Sequence, residues 1–190
     1  LYLTPGHTYT RAQLLKAILV RSSNDASMAL ARDVAGSVGE FANRMNHRAR
    51  SLGMSSSSFR NPHGLTEEGQ HSTARDIARL AVYVYRNPVI RAPMTIPDYE
   101  FLHNDGKVTK LTNTNRLLQK LPYATGMKTG TTRKSGKCLV ASASLHGRTA
   151  IAVVLGSTSK AVWTDSEALL RWALESPQVI KRPAAPNLIN

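Results

Sequence analysis

The sequence predicts an α+β domain with an antiparallel sheet, and three observations predict it. The first half has the apolar spacing of helices, the second half has β-rich runs joined by turn residues, and one amphipathic helix follows them. Strands and helices therefore come in blocks and do not alternate as they do in parallel sheets. The 190 residues, 42% of them hydrophobic, are enough for one domain with a core. The sequence has no run of 18 or more apolar residues, so no membrane-spanning helix is predicted.

Three helices are predicted before residue 54. Thr10 and Gln13 form a capping-box pair that begins the first, which ends near Arg21. Polar residues 22–25 separate it from the second, and Gly53 is the expected C-cap of the third. The apolar positions that indicate these helices are Leu14, Leu15, Ile18 and Leu19 in the first, Ala26, Ala29, Leu30 and Val34 in the second, and Phe41, Met45, Ala49 and Leu52 in the third.

A loop over residues 54–71 precedes a fourth helix. Ser72 or Thr73 is expected to cap it, and Asn87-Pro88 to stop it, since the residue before proline disfavours helix. Its inward positions are Ile77, Leu80 and Val84.

The second half is predicted to form two hairpins and a helix. Short strands near 99–101 and 108–111 flank Asn104-Asp105-Gly106, and longer strands over 137–145 and 148–156 meet at His146-Gly147. The final helix carries Val162, Leu169, Leu170 and Trp172 to Leu174. Residues 1–176 are thus expected to form the domain, and 177–190, with three prolines, a loose tail.

The composition restricts partners and cofactors. Lys and Arg number 25 against 12 Asp and Glu, so the net charge of +13 favours an anionic partner such as a wall polymer or a membrane surface. Few residues are aromatic (6%) and no basic block of five occurs, which disfavours nucleic acid. His63 and His71 lack acidic partners at ligand spacing, so we expect no metal and no cofactor. The single cysteine, Cys138, is expected to be a buried strand thiol.

Two short motifs carry the chemistry. Ser22-Ser23-Asn24 lies between two predicted helices, and Lys128-Thr129-Gly130 lies just before the terminal hairpin. Either motif alone is weak, because Ser and Asn before a helix are first of all N-caps. Together and in this order they match two of the three elements of serine penicillin-recognising enzymes, Ser-x-Asn and Lys-Thr-Gly. An edge strand at Lys-Thr-Gly could pair with a substrate backbone, with Gly130 leaving room.

The flanking sequence resembles low-molecular-weight D-Ala-D-Ala carboxypeptidases, the peptidase S11 family of penicillin-binding proteins, over about residues 3 to 175. The resemblance implies a β-lactamase/transpeptidase-like fold, a helical subdomain plus an antiparallel sheet with flanking helices. The matching segments are Leu14-Leu15 through Ala26, Met45-Asn46, Leu52-Gly53-Met54, Phe59 to Leu65, Ser72 to Ala78, Asn113-Thr114-Asn115, Gly126 to Gly130 and the hairpin Gly136 to Gly156.

The resemblance also implies a reaction and a set of roles. A serine attacks the peptide bond between two D-alanines of a peptidoglycan stem peptide, the terminal D-Ala leaves, and water cleaves the acyl-enzyme; β-lactams acylate the same serine. Ser22 would relay a proton to the leaving amine with help from Lys128, and Asn24 would bind the substrate amide. Lys128, Thr129 and Thr131 would hold the terminal carboxylate, and Gly130 would leave space for the substrate. Such work takes place outside the cytoplasm, in the periplasm or its equivalent.

The nucleophile motif Ser-x-x-Lys, which precedes Ser-x-Asn in the family, is missing before Ser22. The one match, Ser157-Thr158-Ser159-Lys160, follows Lys-Thr-Gly, and it is expected to join a strand to a helix, with Ser157 or Ser159 as the cap. The sequence opens at Leu1, so we expect it to begin after the family's first strands and nucleophile helix, and the chain alone to be inactive. Thr125 and Ser135 also depart from the family, which commonly has Asp and Ala there.

Two alternatives stay open. A class A β-lactamase needs a deacylating Glu with an Asn four residues later, and Glu100 with Asn104 has that spacing but falls in a predicted hairpin close to Lys128. Nitrocefin turnover would favour that reading, and fast D-Ala release the carboxypeptidase. A non-catalytic, wall-binding relic would fit the missing nucleophile and the net charge. A coding sequence that extends upstream into a Ser-x-x-Lys helix would exclude the relic.

Overall fold

A computed structural model of the protein describes residues 1–176, which form an α+β fold with antiparallel sheets, as predicted. The elements are α1 Arg11–Arg21, α2 Asn24–Ala35, α3 Val38–Ser51, α4 Ala74–Tyr85, α5 Pro88–Met94, β1 Asp98–Leu102, β2 Val108–Thr112, α6 Leu117–Lys120, β3 Ala124–Thr132, β4 Gly136–Leu145, β5 Arg148–Ser157 and α7 Ala161–Glu175. The expected loose tail, 177–190, lies outside the described residues. None of the helices within 1–176 is both long and apolar enough to cross a lipid bilayer.

The predicted helix caps form as the sequence indicates. Thr10 Oγ1 accepts from the Gln13 N–H at 3.1 Å, while the Gln13 side chain accepts from the Thr10 N–H at 2.9 Å. Of the two candidate caps for α4, Thr73 is the one used, because its hydroxyl accepts from the Asp76 N–H. Gly53 follows α3 with φ +72°, in the left-handed region that ends helices.

The main sheet has strand order β3-β4-β5, with all pairs antiparallel. Side chains alternate between its faces, as they must in a strand. Leu139 and Ala141 pack toward α7 with Leu170, whereas Val140, on the opposite face, belongs to a cluster with Met127 and with residues of α1, α4 and α5. The sheet is therefore covered by helices on both faces, and β3 is one of its edges.

Helix α1 is fixed between two cores. Leu14, Ala17 and Val20 pack with Phe101 and Leu111 of the β1–β2 hairpin, while Leu19 packs with Met127 of β3 and the helices behind it. Ala17 and Val20 are fully buried. The C-terminal end of α1 is consequently held close to β3.

The structure corrects several sequence expectations. Asn87-Pro88 does end α4, but it also begins α5, because Asn87 caps the Val89 N–H and proline suits the first helical position. The N-cap residue of α7 is Lys160, and neither Ser157 nor Ser159; the Ala161 N–H donates to the Thr158 hydroxyl. Cys138 is on a strand but only half-buried. Some apolar helix positions face outward: Val34, Leu169 and Trp172.

A buried carboxylate fixes the start of the long loop before α4. Asp76 is 2% exposed, and its Oδ2 accepts from the Ser56 N–H at 2.9 Å and from Ser57 Oγ at 2.8 Å. Arg79 Nη1 lies 3.1 Å from its other oxygen. Burial by itself would raise the pKa of Asp76, but the bonds from Ser57 and Ser56 and the Arg79 charge together lower it.

We expect Asp76→Asn to lower the thermal unfolding midpoint at pH 7, because the amide keeps only one accepting oxygen and its NH2 group must face either the Ser56 and Ser57 donors or Arg79. Since the folded-state pKa is depressed, the carboxylate stabilises the fold above its ordinary pKa of 3.8, and this contribution is lost as the pH falls through the lowered value. The difference from the parent protein should therefore narrow in acid. Asp165→Asn, at an exposed position on α7, is the control in thermal scans from pH 7 to pH 3. A gap independent of pH would contradict this account.

Candidate active site

Ser22 is the residue at which α1 ends, and its backbone is unusual. Its φ of +63° and ψ of 43° are left-handed, a conformation that most L-residues avoid and that glycine usually supplies at helix ends. Its N–H still bonds to Ile18 O at 3.0 Å. A serine kept where glycine would be less strained indicates that the side chain matters.

Lys128 reaches Ser22 from the edge strand β3. Its Nζ lies 2.7 Å from Ser22 Oγ, although the two residues are 106 positions apart, and 2.8 Å from Thr129 O. The strand packs closely on α5 at Gly126, which has φ +132° and no side chain. A Cβ there would lie 3.1 Å from Met94 Cβ of α5.

The Lys128 ammonium is largely buried without a carboxylate partner and with only two of its three N–H groups bonded. Burial lowers its pKa from 10.5 to about 8, with no compensating carboxylate. An ammonium has three donors, and two are used on Ser22 Oγ and Thr129 O. The third has no protein partner within residues 1–176, which leaves it available to an anionic ligand. At pH 7 the group is still mainly charged.

The polar residues that follow α1 differ in whether their side chains make structural hydrogen bonds. Asp25 is used structurally, since its carboxylate accepts from the Ala26 and Leu3 N–H groups. Ser23 occupies the N-cap position of α2 without a side-chain capping bond, and its hydroxyl donates to Ala17 O. Asn24 is exposed, and its side chain makes no hydrogen bond within the described residues. Local bonding around the start of α2 therefore accounts for the side chain of Asp25, but not for Ser22, which meets Lys128, or for Asn24.

The other predicted substrate residues follow Lys128 along β3. Thr129 is half-buried, and its Oγ1 lies 2.6 Å from Thr114 Oγ1. Gly130 and Thr131 are exposed, and β3 has no strand partner on its outer side within residues 1–176. A Cβ at Gly130 would meet only Cys138 Cβ, at an ordinary 3.7 Å, so the fold itself does not require glycine there.

Thr114 is the residue that sequence reasoning missed. The tripeptide Asn113-Thr114-Asn115 contributes to the family resemblance, but no pattern assigns it a role. The structure places it beside Thr129 and joins its N–H to Val20 O at 3.1 Å. Only its presence among the matched segments could have drawn attention to it.

Other candidates lie elsewhere. Ser157 ends β5, two strands away from β3, and Ser157 to Lys160 is a strand end and a turn, so its Ser and Lys share no helix face. Thr125 does not face the Lys128–Ser22 pair but bonds with Tyr85 and Ser142 hydroxyls at 3.2 and 2.9 Å. No three His, Cys, Asp or Glu side chains within 1–176 are grouped as metal ligands.

We expect Lys128→Met to stabilise the fold at pH 7, since it removes a poorly compensated charge. The shift from 10.5 to about 8 corresponds to about 3 kcal/mol, of which lost hydrogen bonds should cancel part. The folded state binds fewer protons than the unfolded state between those values, so the stability of the parent protein rises there and the advantage of the variant shrinks. Denaturant unfolding at pH 7 and at pH 10 measures the difference in stability between the variant and the parent protein at each pH. Lys110→Met, at an exposed position, is the control. Destabilisation at pH 7 would refute this expectation.

Comparisons with known proteins identify the family. The family model for D-alanyl-D-alanine carboxypeptidases, peptidase S11, matches residues 1–159. The D-alanyl-D-alanine carboxypeptidase DacF of Bacillus subtilis is 41% identical over 84% of this chain and 41% of its own length. DacC of Escherichia coli is 38% identical over 90% of this chain and 42% of its own. The chain thus spans about two fifths of these relatives.

Solved structures share the fold. The DD-transpeptidase of a Streptomyces strain superposes with a TM-score of 0.84 at 30% identity, over 90% of this chain and 70% of that one. The D-alanyl-D-alanine carboxypeptidase DacD of Francisella tularensis gives 0.84 at 29% identity, over 91% and 54%. The penicillin-binding fold expected from the sequence is therefore confirmed. The chain belongs to the peptidase S11 family of D-alanyl-D-alanine carboxypeptidases.

Proposed function

We propose that the protein is a serine-type D-Ala-D-Ala carboxypeptidase that removes the terminal D-Ala from peptidoglycan stem peptides. Residues 1–176 supply the proton-relay and substrate-binding half of its site. The observation that carries this proposal is the 2.7 Å contact between Lys128 Nζ and Ser22 Oγ, which joins the two sequence motifs.

Ser22 is suited to relay a proton. An ammonium can only donate, so Ser22 Oγ must accept from Lys128, and its own hydrogen is free to point elsewhere. In the acylation step, the nucleophilic serine bonds to the carbonyl carbon between the two D-alanines. The nucleophilic serine loses its proton as it bonds, the C–N bond breaks as Ser22 gives its own proton to the leaving amine, and the proton from the nucleophile returns to Ser22 through Lys128, so both residues end in their starting protonation states. Water afterwards hydrolyses the ester.

The edge of β3 is suited to hold the substrate. The free outer edge can pair with an extended peptide, and the absence of a side chain at Gly130 lets that peptide approach. Lys128 has one unused N–H for the terminal carboxylate, and the Thr129 and Thr131 hydroxyls lie along the same strand. Asn24, exposed and without a hydrogen bond within the described residues, is the donor we assign to the substrate amide.

The nucleophile is expected in a Ser-x-x-Lys helix upstream of Ser22, which the 190 residues do not contain. The position and backbone of Ser157 support treating it as a structural residue. β-Lactams would acylate the missing serine, as they mimic the dipeptide. The protein would act where peptidoglycan lies, outside the cytoplasm, and its net charge of +13 suits an anionic wall or membrane surface. Neither a cofactor nor nucleic acid has a part in this proposal.

We expect Ser22→Ala, in the protein expressed from its complete coding sequence, to lower kcat/KM for D-Ala release about 100-fold or more, because the leaving amine loses its proton donor. Release of D-Ala from a D-Ala-D-Ala peptide measures this. Ser55→Ala, at an exposed loop serine, should have parent activity. Undiminished release by Ser22→Ala, or no release by the parent protein, would contradict the proposal.

The 190-residue chain by itself should not be labelled covalently by a fluorescent penicillin, since it lacks the nucleophile motif in its expected place. The protein from the complete coding sequence should be labelled stoichiometrically. Gel fluorescence followed by mass spectrometry of the labelled peptide distinguishes the two. Stable labelling at any serine of the 190-residue chain would overturn this expectation.

A further inference from the structure

We propose that Thr114 is a positioning residue that orients the Thr129 hydroxyl toward the carboxylate of the substrate. The inference rests on the proposed function, in which β3 binds a peptide with a free C-terminus. It begins from the 2.6 Å separation of Thr114 Oγ1 and Thr129 Oγ1, a short distance for two neutral hydroxyls.

Thr114 is itself firmly placed. Its N–H donates to Val20 O at 3.1 Å, two residues before Ser22. Its neighbour Asn113 donates from Nδ2 to Ile96 O at 2.9 Å and accepts from the Asn115 N–H at 2.9 Å. The loop is therefore anchored to the end of α1 and to the segment after α5. Its hydroxyl is fixed relative to both motifs of the site.

The direction of the hydrogen bond between the two threonines decides what Thr129 can do. Each hydroxyl has one hydrogen to donate and can accept from others. If Thr129 donated to Thr114, no hydrogen would remain for a carboxylate. If Thr114 donates, Thr129 can donate onward, and the chain of bonds is polarised in the sense that strengthens an interaction with an anion.

Nothing within the described residues competes for the Thr114 hydroxyl, because its one hydrogen bond is to Thr129. A bound carboxylate beside the unused Lys128 N–H therefore selects the order Thr114 to Thr129 to carboxylate. Thr114 itself need not touch the substrate. Its effect should appear in substrate binding and not in the chemical step.

The test uses the protein from its complete coding sequence and measures D-Ala release from a D-Ala-D-Ala peptide. We expect Thr114→Val to raise KM about 5- to 10-fold with kcat within about twofold, because one hydrogen bond supporting a charged ligand is lost. Thr114→Ser should restore KM, since it keeps the hydroxyl. In a Thr129→Val background, Thr114→Val should add little, as expected when two residues act through one bond. Exposed Thr66→Val is the matched control and should change neither constant.

The outcomes separate the two proposals. An unchanged KM in Thr114→Val, failure of Thr114→Ser to restore it, or additive effects with Thr129→Val would each overturn the positioning role while leaving the carboxypeptidase intact. A parent protein that releases no D-Ala would overturn the proposed function and, with it, this role for Thr114.

Discussion

The placement of α1 between two cores is the constraint on which the site depends. Leu14, Ala17 and Val20 bind it to the β1–β2 hairpin, and Leu19 binds it to the sheet. Because both faces are fixed, the helix cannot slide without opening a cavity in one core. The residue after it, Ser22, is thereby held with its Oγ 2.7 Å from Lys128 Nζ across 106 residues of sequence.

This arrangement has an energetic cost that the rest of the fold offsets. Ser22 has a left-handed backbone, and the Lys128 ammonium is partly buried without a carboxylate. Neither feature benefits folding, whereas both benefit a site that must bind an anion and move a proton. By contrast, the buried carboxylate of Asp76, away from these motifs, is fully bonded by Ser56, Ser57 and Arg79. The underpaired charge is thus found at the candidate site and not in the structural loop.

Local signals account for the elements that the sequence predicted well. The Thr10–Gln13 pair and Gly53 use hydrogen bonds or dihedral angles within a few residues, so they can be recognised without tertiary information. The errors lie where packing decides. Leu169 and Trp172 fit a helical pattern yet are exposed, and Asn87-Pro88 looked only like a stop although it also caps α5. The spacing of apolar residues does not specify which neighbouring element covers a helix face, and a helix-ending residue pair does not specify where the next helix begins.

For the site, the sequence by itself determined the two motifs, their order, the family and the absence of Ser-x-x-Lys before Ser22, since these depend only on residue identities. Only the tertiary structure decided that Lys128 donates to Ser22, that the Asp25 carboxylate is used in structural hydrogen bonds, and that Thr114 meets Thr129. Hydrogen bonds between distant residues require both partners to be placed within about 3 Å, and that placement is set by how the cores pack, which spacing along the chain does not encode.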